Sequence, residues 1–205
     1  MTDSTWTSSS SNSSLFDFVP HPSQDTDCLK QWGFVPGLNE LLKVRQVHAL
    51  EHGTVWVLSE ADNGTQAIQA DSLGGLSTPD GFYLYGQVEM PLLQQAVQSA
   101  LSRFRQGEWN LAVHPRCGTN LSVDLLLTGG LAMGINSILP KGPIEQVLGV
   151  VAAATLAHQM SPDVGRLAQQ YITTSVPFNL TVDAITVAQD IWGNPAHFVK
   201  INWVE

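Results

Sequence analysis

The composition of this 205-residue chain excludes one class of partner and suggests another. Nine Lys and Arg residues stand against 18 Asp and Glu, which gives a net charge of −9. Because phosphate contacts require clustered Lys and Arg, nucleic acid is excluded as a partner. Charged residues make up only 13% of the chain, whereas soluble domains usually contain about 25%. We therefore expect a membrane or a membrane-protein partner to cover part of the surface.

The N-terminal part differs in composition from the rest. Residues 1–14 are a Ser, Thr and Asn-rich tail, followed by the short apolar segment Leu15–Val19. The tail has too few apolar side chains to fold, and no basic segment with an apolar run follows Met1 to form a signal peptide. We assign residues 1–37 to a disordered tail and docking arm and residues 38–205 to a single domain. The predicted location is the cytoplasm.

The first predicted helix, Leu38–Ala61, carries the most specific motif of the chain, since residues 48–52 read H-A-L-E-H. On a helix, His48 and His52 lie one turn apart on one face, with Glu51 beside His48. Two imidazoles and a carboxylate in this arrangement can bind zinc, and H-x-x-E-H is also the inverzincin peptidase pattern. The alternative is a pair of histidines at the edge of the core, hydrogen-bonded to carbonyl groups.

The middle of the chain predicts a β-α-β unit. Phe82–Tyr85 is strand-like, Pro91–Gln106 is helical, and Trp109–Val113 is a second strand. A right-handed crossover would make the two strands parallel. A further strand is predicted near Thr65–Ala70. The glycine-rich segment Gly74–Gly81 lacks the Lys and the spacing of a phosphate-binding loop and is interpreted as a tight connection.

A second motif, His114–Asn120, follows the second predicted strand and reads H-P-R-C-G-T-N. His114 and Cys117 at a strand end are candidate metal ligands. Cys117 also precedes a predicted helix, whose N-terminal dipole would lower the pKa of the thiol. The alternative is a small thiol buried beside a turn.

Together, the motifs at 48–52 and 114–120 resemble the signature pair of an uncharacterised bacterial family that is best represented in cyanobacteria. The resemblance covers roughly residues 38–205. It implies a hydrophobic hairpin after the second motif, often taken as transmembrane in that family. It implies no activity.

An apolar helical hairpin is predicted at residues 121–157. Leu121–Leu139 contains Asp124, and Ile144–Ala157 returns after a Pro-Lys-Gly-Pro turn. A membrane helix needs about 20 apolar residues, a length that the first segment barely reaches and the second does not. The hairpin is therefore either membrane-associated or the core of a soluble domain. Four arginines near its ends and one lysine in its turn predict that the folded domain lies on the cytoplasmic side.

The chain ends in two alternating segments, Leu180–Ile191 and His197–Val204, which predict a β-hairpin. The fold class is thus α+β: a leading helix, a β-α-β unit, an apolar helical hairpin and a C-terminal β-hairpin on a small mixed sheet.

Three functions follow from these motifs. The first is a structural or regulatory zinc site built from His48, His52 and one or both of His114 and Cys117. The second is a zinc hydrolase with Glu51 as general base, acting on a small molecule or peptide that the sequence does not identify. It lacks an evident third ligand, because Glu108 and Glu145 are both poorly situated. The third is a metal-free scaffold factor tethered to a membrane.

Overall fold

The computed structural model describes residues 20–61, 73–189 and 193–204. The predicted strand near Thr65–Ala70 and the segment Leu15–Val19 lie outside the described residues. In chain order, the elements are α1 (Gln24–Trp32), α2 (Leu38–Ala61), β1 (Gly74–Thr78), β2 (Gly81–Tyr85), α3 (Met90–Arg105), a 3₁₀ helix (Trp109–Ala112), α4 (Gly118–Ile138), α5 (Pro143–Ala168), a π-helical turn (Gln169–Thr173), β3 (Leu180–Gln189) and β4 (Pro195–Trp203).

The described strands form one four-stranded sheet in the order β1-β2-β4-β3. Every neighbouring pair is antiparallel. Residues alternate along β4, with Val199 and Ile201 buried and Lys200 exposed between them, so that one face of the sheet meets the core. The predicted α+β class and the C-terminal β-hairpin are confirmed.

The predicted β-α-β unit and the mixed sheet are wrong. Residues 109–112 form a 3₁₀ helix in which the N–H of Leu111 donates to the carbonyl of Glu108. The segment buries Leu111 and Ala112 beneath α2 and α3 rather than joining the sheet. The glycine-rich segment also differs from the prediction, because Gly74–Thr78 pairs with β2 as an edge strand.

Helices α2 and α3 cover the buried face of the sheet. Their apolar side chains form one core with those of the strands: Val47, Leu50, Val55, Leu58, Phe82, Leu84, Leu93, Ala96, Val97, Ala100, Leu101, Leu180, Val199 and Ile201. The two helices approach closely at Gly53, where an added Cβ would lie 2.6 Å from the ring of Phe104. Glycine at this position therefore allows α3 to press on the histidine-bearing helix.

Helix α1 and the segment before β3 are fastened to α2 by a buried polar cluster. Gln46 donates to the Asp25 carboxylate at 2.6 Å and to the Asn179 side chain at 3.0 Å. The Ser175 hydroxyl donates to the same carboxylate at 2.9 Å. Because buried polar groups must be hydrogen-bonded, these contacts fix the positions at which α1 and the segment before β3 pack on α2.

Helices α4 and α5 form the predicted hairpin, but α5 is longer than the sequence indicated. It runs through Pro162 to Ala168 and is followed by the π-helical turn Gln169–Thr173, whereas the predicted segment ended at Ala157. Its buried residues recur at every fourth position: Gly149, Ala153, Ala157, Ser161 and Gly165. This stripe of small side chains lets α4 and α5 approach closely, as in paired membrane helices.

The outer surface of the hairpin is apolar and exposed. Among the described residues, α4 has no buried residue, and the exposure of its large apolar side chains reaches 87% at Ile138. Helix α4 is therefore not part of the core of this chain. The core is built instead from α2, α3 and the sheet.

Gly165→Ala is expected to destabilise the hairpin. A Cβ at Gly165 would overlap the side chain of Asn120, which is held by hydrogen bonds to Gln169 and to the Pro115 carbonyl. Such overpacking costs about 1–3 kcal/mol. Gly134→Ala is the matched control, because nothing lies within 4 Å of a Cβ there. Alanine at this exposed position should stabilise the helix by up to about 1 kcal/mol relative to glycine.

Thermal unfolding of the two variants, followed by circular dichroism in one non-ionic detergent, separates these effects. We expect a lower midpoint for Gly165→Ala and an equal or higher midpoint for Gly134→Ala. Equal shifts in one direction would contradict the packing of the hairpin described above.

Candidate metal centre

The two histidines of α2 are held in one orientation by backbone carbonyl groups. The ring centroids of His48 and His52 lie 4.3 Å apart, with the rings edge to face. His48 Nδ1 lies 3.0 Å from the Thr173 carbonyl, and His52 Nδ1 lies 2.7 Å from the Ala112 carbonyl. A carbonyl oxygen only accepts, so each Nδ1 carries a proton, and Nε2 is the nitrogen that holds the lone pair in the neutral form of the ring. Hydrogen bonds of this kind fix the orientation of the ring and prepare histidine to bind a metal.

Cys117 brings the second motif to these histidines. It is the N-cap residue of α4, and its Sγ accepts a hydrogen bond from the Thr119 N–H. The same sulfur lies 3.3 Å from His48 Nε2. The ligand atoms of His48, His52 and Cys117 all lie within 4.8 Å of one another. Tetrahedral zinc, with bonds of about 2.0–2.3 Å, needs separations of roughly 3–4 Å, which small side-chain adjustments would supply.

The thiol of Cys117 ionises more readily than an ordinary cysteine. Burial raises the pKa of this thiol, but the interactions of the sulfur with His52 and with the Thr119 N–H outweigh burial and hold the pKa below its usual value. The thiolate is the form of cysteine that binds metals. The local environment thus favours the ligand form of this side chain.

His114 lies beside this group without joining it. Its ring centroid is 5.7 Å from that of His52 and 5.0 Å from that of Trp56. Its Nδ1 accepts a hydrogen bond from the Arg116 N–H. Burial, with the nearby charges of His52 and Arg116, lowers the pKa of His114 to about 4. The side chain is therefore neutral near pH 7 and packs against the site.

Glu51 projects from the same helix and is nearly buried, with 7% exposure. The Ser77 hydroxyl of β1 donates to its carboxylate at 2.5 Å. Burial raises the pKa of Glu51, while the Ser77 hydrogen bond and the charge of His48 oppose that rise. A Cβ on Gly75 would overlap the carboxylate, so glycine at this position of β1 makes room for Glu51.

A cavity of about 350 Å³ lies between the donor group and the Glu51 carboxylate. His48, His52 and Cys117 line it together with Glu51 and residues of β1. Three protein donors leave a tetrahedral ion with one further coordination position. A small molecule entering this cavity would meet both the donor group and the Glu51 carboxylate.

The remaining contacts of the site had no signal in the sequence. The accepting carbonyls of Ala112 and Thr173 and the Ser77 hydroxyl come from three separate elements, and only the tertiary structure brings them to α2. Neither alternative glutamate joins the donor group. Glu108 pairs with Arg103 at 2.7 Å, and Glu145 lies in the first turn of α5.

The fold and the site define an α+β protein in which an H-x-x-E-H helix meets a cysteine at the foot of an apolar helical hairpin. The foot is the end of the hairpin at which α4 begins and α5 ends. Residues 43–185 match the model described as "Domain of unknown function (DUF6391)", and the chain belongs to that family.

A similar protein, described as uncharacterized, occurs in Picosynechococcus sp. It is 52% identical over 189 residues, which cover 91% of this chain and 92% of the relative. No solved structure matches the chain. The family resemblance inferred from the two motifs is confirmed.

Proposed function

We propose that the protein binds a divalent metal ion, zinc, through Nε2 of His48, Nε2 of His52 and Sγ of Cys117, in a structural or regulatory role. The observation that carries this proposal is the convergence of these three donors within 4.8 Å of one another. Two imidazoles and a thiolate form a donor set that zinc takes readily, whereas magnesium and calcium prefer oxygen ligands.

The position of the site supports the structural or regulatory role. His48 and His52 belong to α2, whereas Cys117 is the residue that begins α4. A metal ion shared by these side chains would therefore fasten the foot of the hairpin to the folded domain. Because such an ion binds only the folded arrangement, it would stabilise the domain.

We propose further that the hairpin associates with a membrane. Helix α4 is the one described helix that is long and apolar enough to cross a bilayer, and none of its residues is buried. Its 21 residues correspond to about 32 Å at about 1.5 Å per residue, close to the thickness of the hydrocarbon core. One carboxylate oxygen of Asp124 is buried, as expected for an acidic residue that turns away from lipid.

The basic residues near the hairpin orient it in this proposal. Arg103, Arg105, Arg116 and Arg166 flank the hairpin in the sequence, and Lys141 lies in its turn. The positive-inside bias therefore favours the folded domain and its metal site on the cytoplasmic side.

A second candidate function, metal-dependent hydrolysis, is favoured by one further observation. The Glu51 carboxylate lines the same cavity as the three donors, and His114 stays outside the donor group. Cys117 would take the place of the missing third-ligand glutamate. Bound zinc would supply Lewis acidity to a carbonyl substrate. Glu51 would accept a proton from the attacking water and return it to the leaving group, which balances the cleavage.

Elemental analysis of the full-length chain, purified without a metal-affinity tag, tests the metal site. We expect about one zinc ion per chain, as a single tetrahedral site requires. His52→Ala and Cys117→Ala should each weaken zinc binding more than about 100-fold, beyond what loss of an outer-shell partner costs. Removal of zinc should also lower the thermal midpoint.

Two further histidine variants serve as controls for that experiment. His158→Ala, on the exposed surface of α5, should leave the zinc content unchanged. His114→Ala should also retain zinc, because His114 is outside the donor group. A zinc-free chain that cannot be loaded would contradict the proposal and favour the metal-free scaffold. Loss of zinc from His114→Ala equal to that from His52→Ala would contradict the donor set.

Cell fractionation tests the hairpin. We expect the full-length chain in the membrane fraction after a high-salt wash. Leu126→Lys combined with Met133→Lys should release it, since a lysine at mid-helix costs about 2.5–3.5 kcal/mol on insertion scales. Leu41→Lys, at an exposed position of α2, is the matched control and should not. A monodisperse monomer recovered without detergent, with none in washed membranes, would refute insertion.

Glu51→Gln tests the hydrolase candidate with metal-dependent cleavage of chromogenic esters and fluorogenic peptides. The variant should keep its zinc and lose about 100-fold or more in rate, as expected for loss of a general base. Gly75→Ala should mimic this loss by displacing the Glu51 carboxylate, while Gly74→Ala, where a Cβ meets only an ordinary contact, should not. Zinc-dependent hydrolysis that survives Glu51→Gln would rule out this role, and absence of hydrolysis in the wild type would leave the structural role.

A further inference from the structure

A second cavity, of about 730 Å³, lies on the other side of His114 from the metal site. Its wall is formed by the 3₁₀ helix, by Trp56 of α2 and by the segment from Pro162 to Val176, and most of that wall is apolar. Its volume lies within the usual range of small-molecule sites, roughly 300–1,000 Å³. No residue of the proposed donor group lines this cavity.

The wall of this cavity is positively charged, whereas the chain as a whole is negatively charged. The chain carries a net charge of −9, yet the described residues that line this cavity include no Asp or Glu, and Arg166 is the one residue of fixed charge among them. Arg166 is exposed to solvent, so the positive charge lies at the mouth and the apolar surface behind it.

The polar groups of the wall are largely satisfied by one another. The Gln169 side chain accepts a hydrogen bond from the backbone N–H of His114 and donates one to the Asn120 side chain. The indole N–H of Trp56 donates to the Val113 carbonyl at 3.0 Å. Because these groups are already paired, the wall offers indole and aliphatic surface to a ligand, which favours an apolar chain over a polar molecule.

The cavity also lies at the foot of the apolar hairpin. Asn120 in the first turn of α4 and Pro162 and Arg166 near the end of α5 all line it. If the hairpin enters a bilayer, as proposed above, the mouth faces the region where lipid headgroups lie. A molecule that comes from the membrane would thus reach Arg166 first.

We propose that this cavity binds a membrane-derived, single-chain anionic amphiphile, with its carboxylate or phosphate head at Arg166 and its acyl chain against Trp56, Trp109 and Val176. The source of the ligand rests on the proposed membrane association. Binding itself is independent of the metal. Arginine suits such a head group because its guanidinium can donate two parallel hydrogen bonds to a carboxylate or phosphate.

Photo-crosslinking tests the proposal in the full-length chain reconstituted into phosphatidylcholine nanodiscs. The probe is hexadecanoate that carries a diazirine in its acyl chain, and labelled peptides are identified by mass spectrometry. We expect labelling within residues 107–115 and 169–176. Excess hexadecanoate or hexadecyl phosphate should compete, whereas hexadecanol and inorganic phosphate should not, because both the charge and the chain are needed.

Arg166→Gln should reduce labelling of the cavity about tenfold, the loss of affinity that corresponds to about 1.4 kcal/mol. Arg105→Gln, which removes the same charge from the exposed end of α3, is the matched control and should label as the wild type does. Gln170→Trp, which fills part of the cavity, should also reduce labelling. The thermal midpoint of each variant shows that it is folded.

Two outcomes would overturn the proposal. One is labelling confined to residues 121–160, which would mean contact with bulk lipid alone. The other is cavity labelling that hexadecanol competes as well as hexadecanoate and that Arg166→Gln leaves unchanged. His52→Ala should lose zinc yet keep the labelling, so failure of the metal proposal and failure of this one are distinguishable.

Discussion

The rest of the structure depends on the burial of one segment of α2 around its whole circumference. From Gln46 to Val55, every residue except the half-buried His48 is buried, so polar side chains there have little access to water. A buried polar group without a partner is costly, so each must find one nearby. Gln46 hydrogen-bonds to α1 and to the segment before β3, Glu51 hydrogen-bonds to β1, and His52 hydrogen-bonds to the 3₁₀ helix. The hydrogen bonds that the buried polar side chains of α2 require therefore position the neighbouring elements.

The same requirement fixes the foot of the hairpin. The end of a helix leaves carbonyl groups without intrahelical partners. Beyond α5, the Thr173 carbonyl accepts from His48, and those of Tyr171 and Thr174 accept from Arg45. Cys117, which begins α4, lies against the other nitrogen of His48. One imidazole therefore contacts both ends of the hairpin, and an ion bound there would add a third link between hairpin and domain.

His114 divides the space around this foot. It lines the cavity that holds the donor group and also the larger cavity on its other side. Its backbone N–H donates to Gln169, whose side chain donates in turn to Asn120 of α4. A ring held in this way separates the cavity that contains the donor group and the Glu51 carboxylate from one whose described lining contains Arg166 and no carboxylate. The two cavities can therefore bind chemically different molecules although they share a wall.

The sequence by itself determined the elements whose periodicity is local. The bounds of α2, the strand around Phe82, the helix beginning near Pro91 and the terminal β-hairpin follow from apolar spacing and turn residues. It also determined that His48, His52 and Glu51 project from adjacent positions of one helix, because helix geometry fixes that relation. Only the tertiary structure decided that Trp109–Ala112 coils instead of pairing, since strand formation depends on a free sheet edge that no local pattern reveals. It alone decided that Cys117 meets His48 while His114 turns aside, because the path of the chain between the two motifs sets that distance.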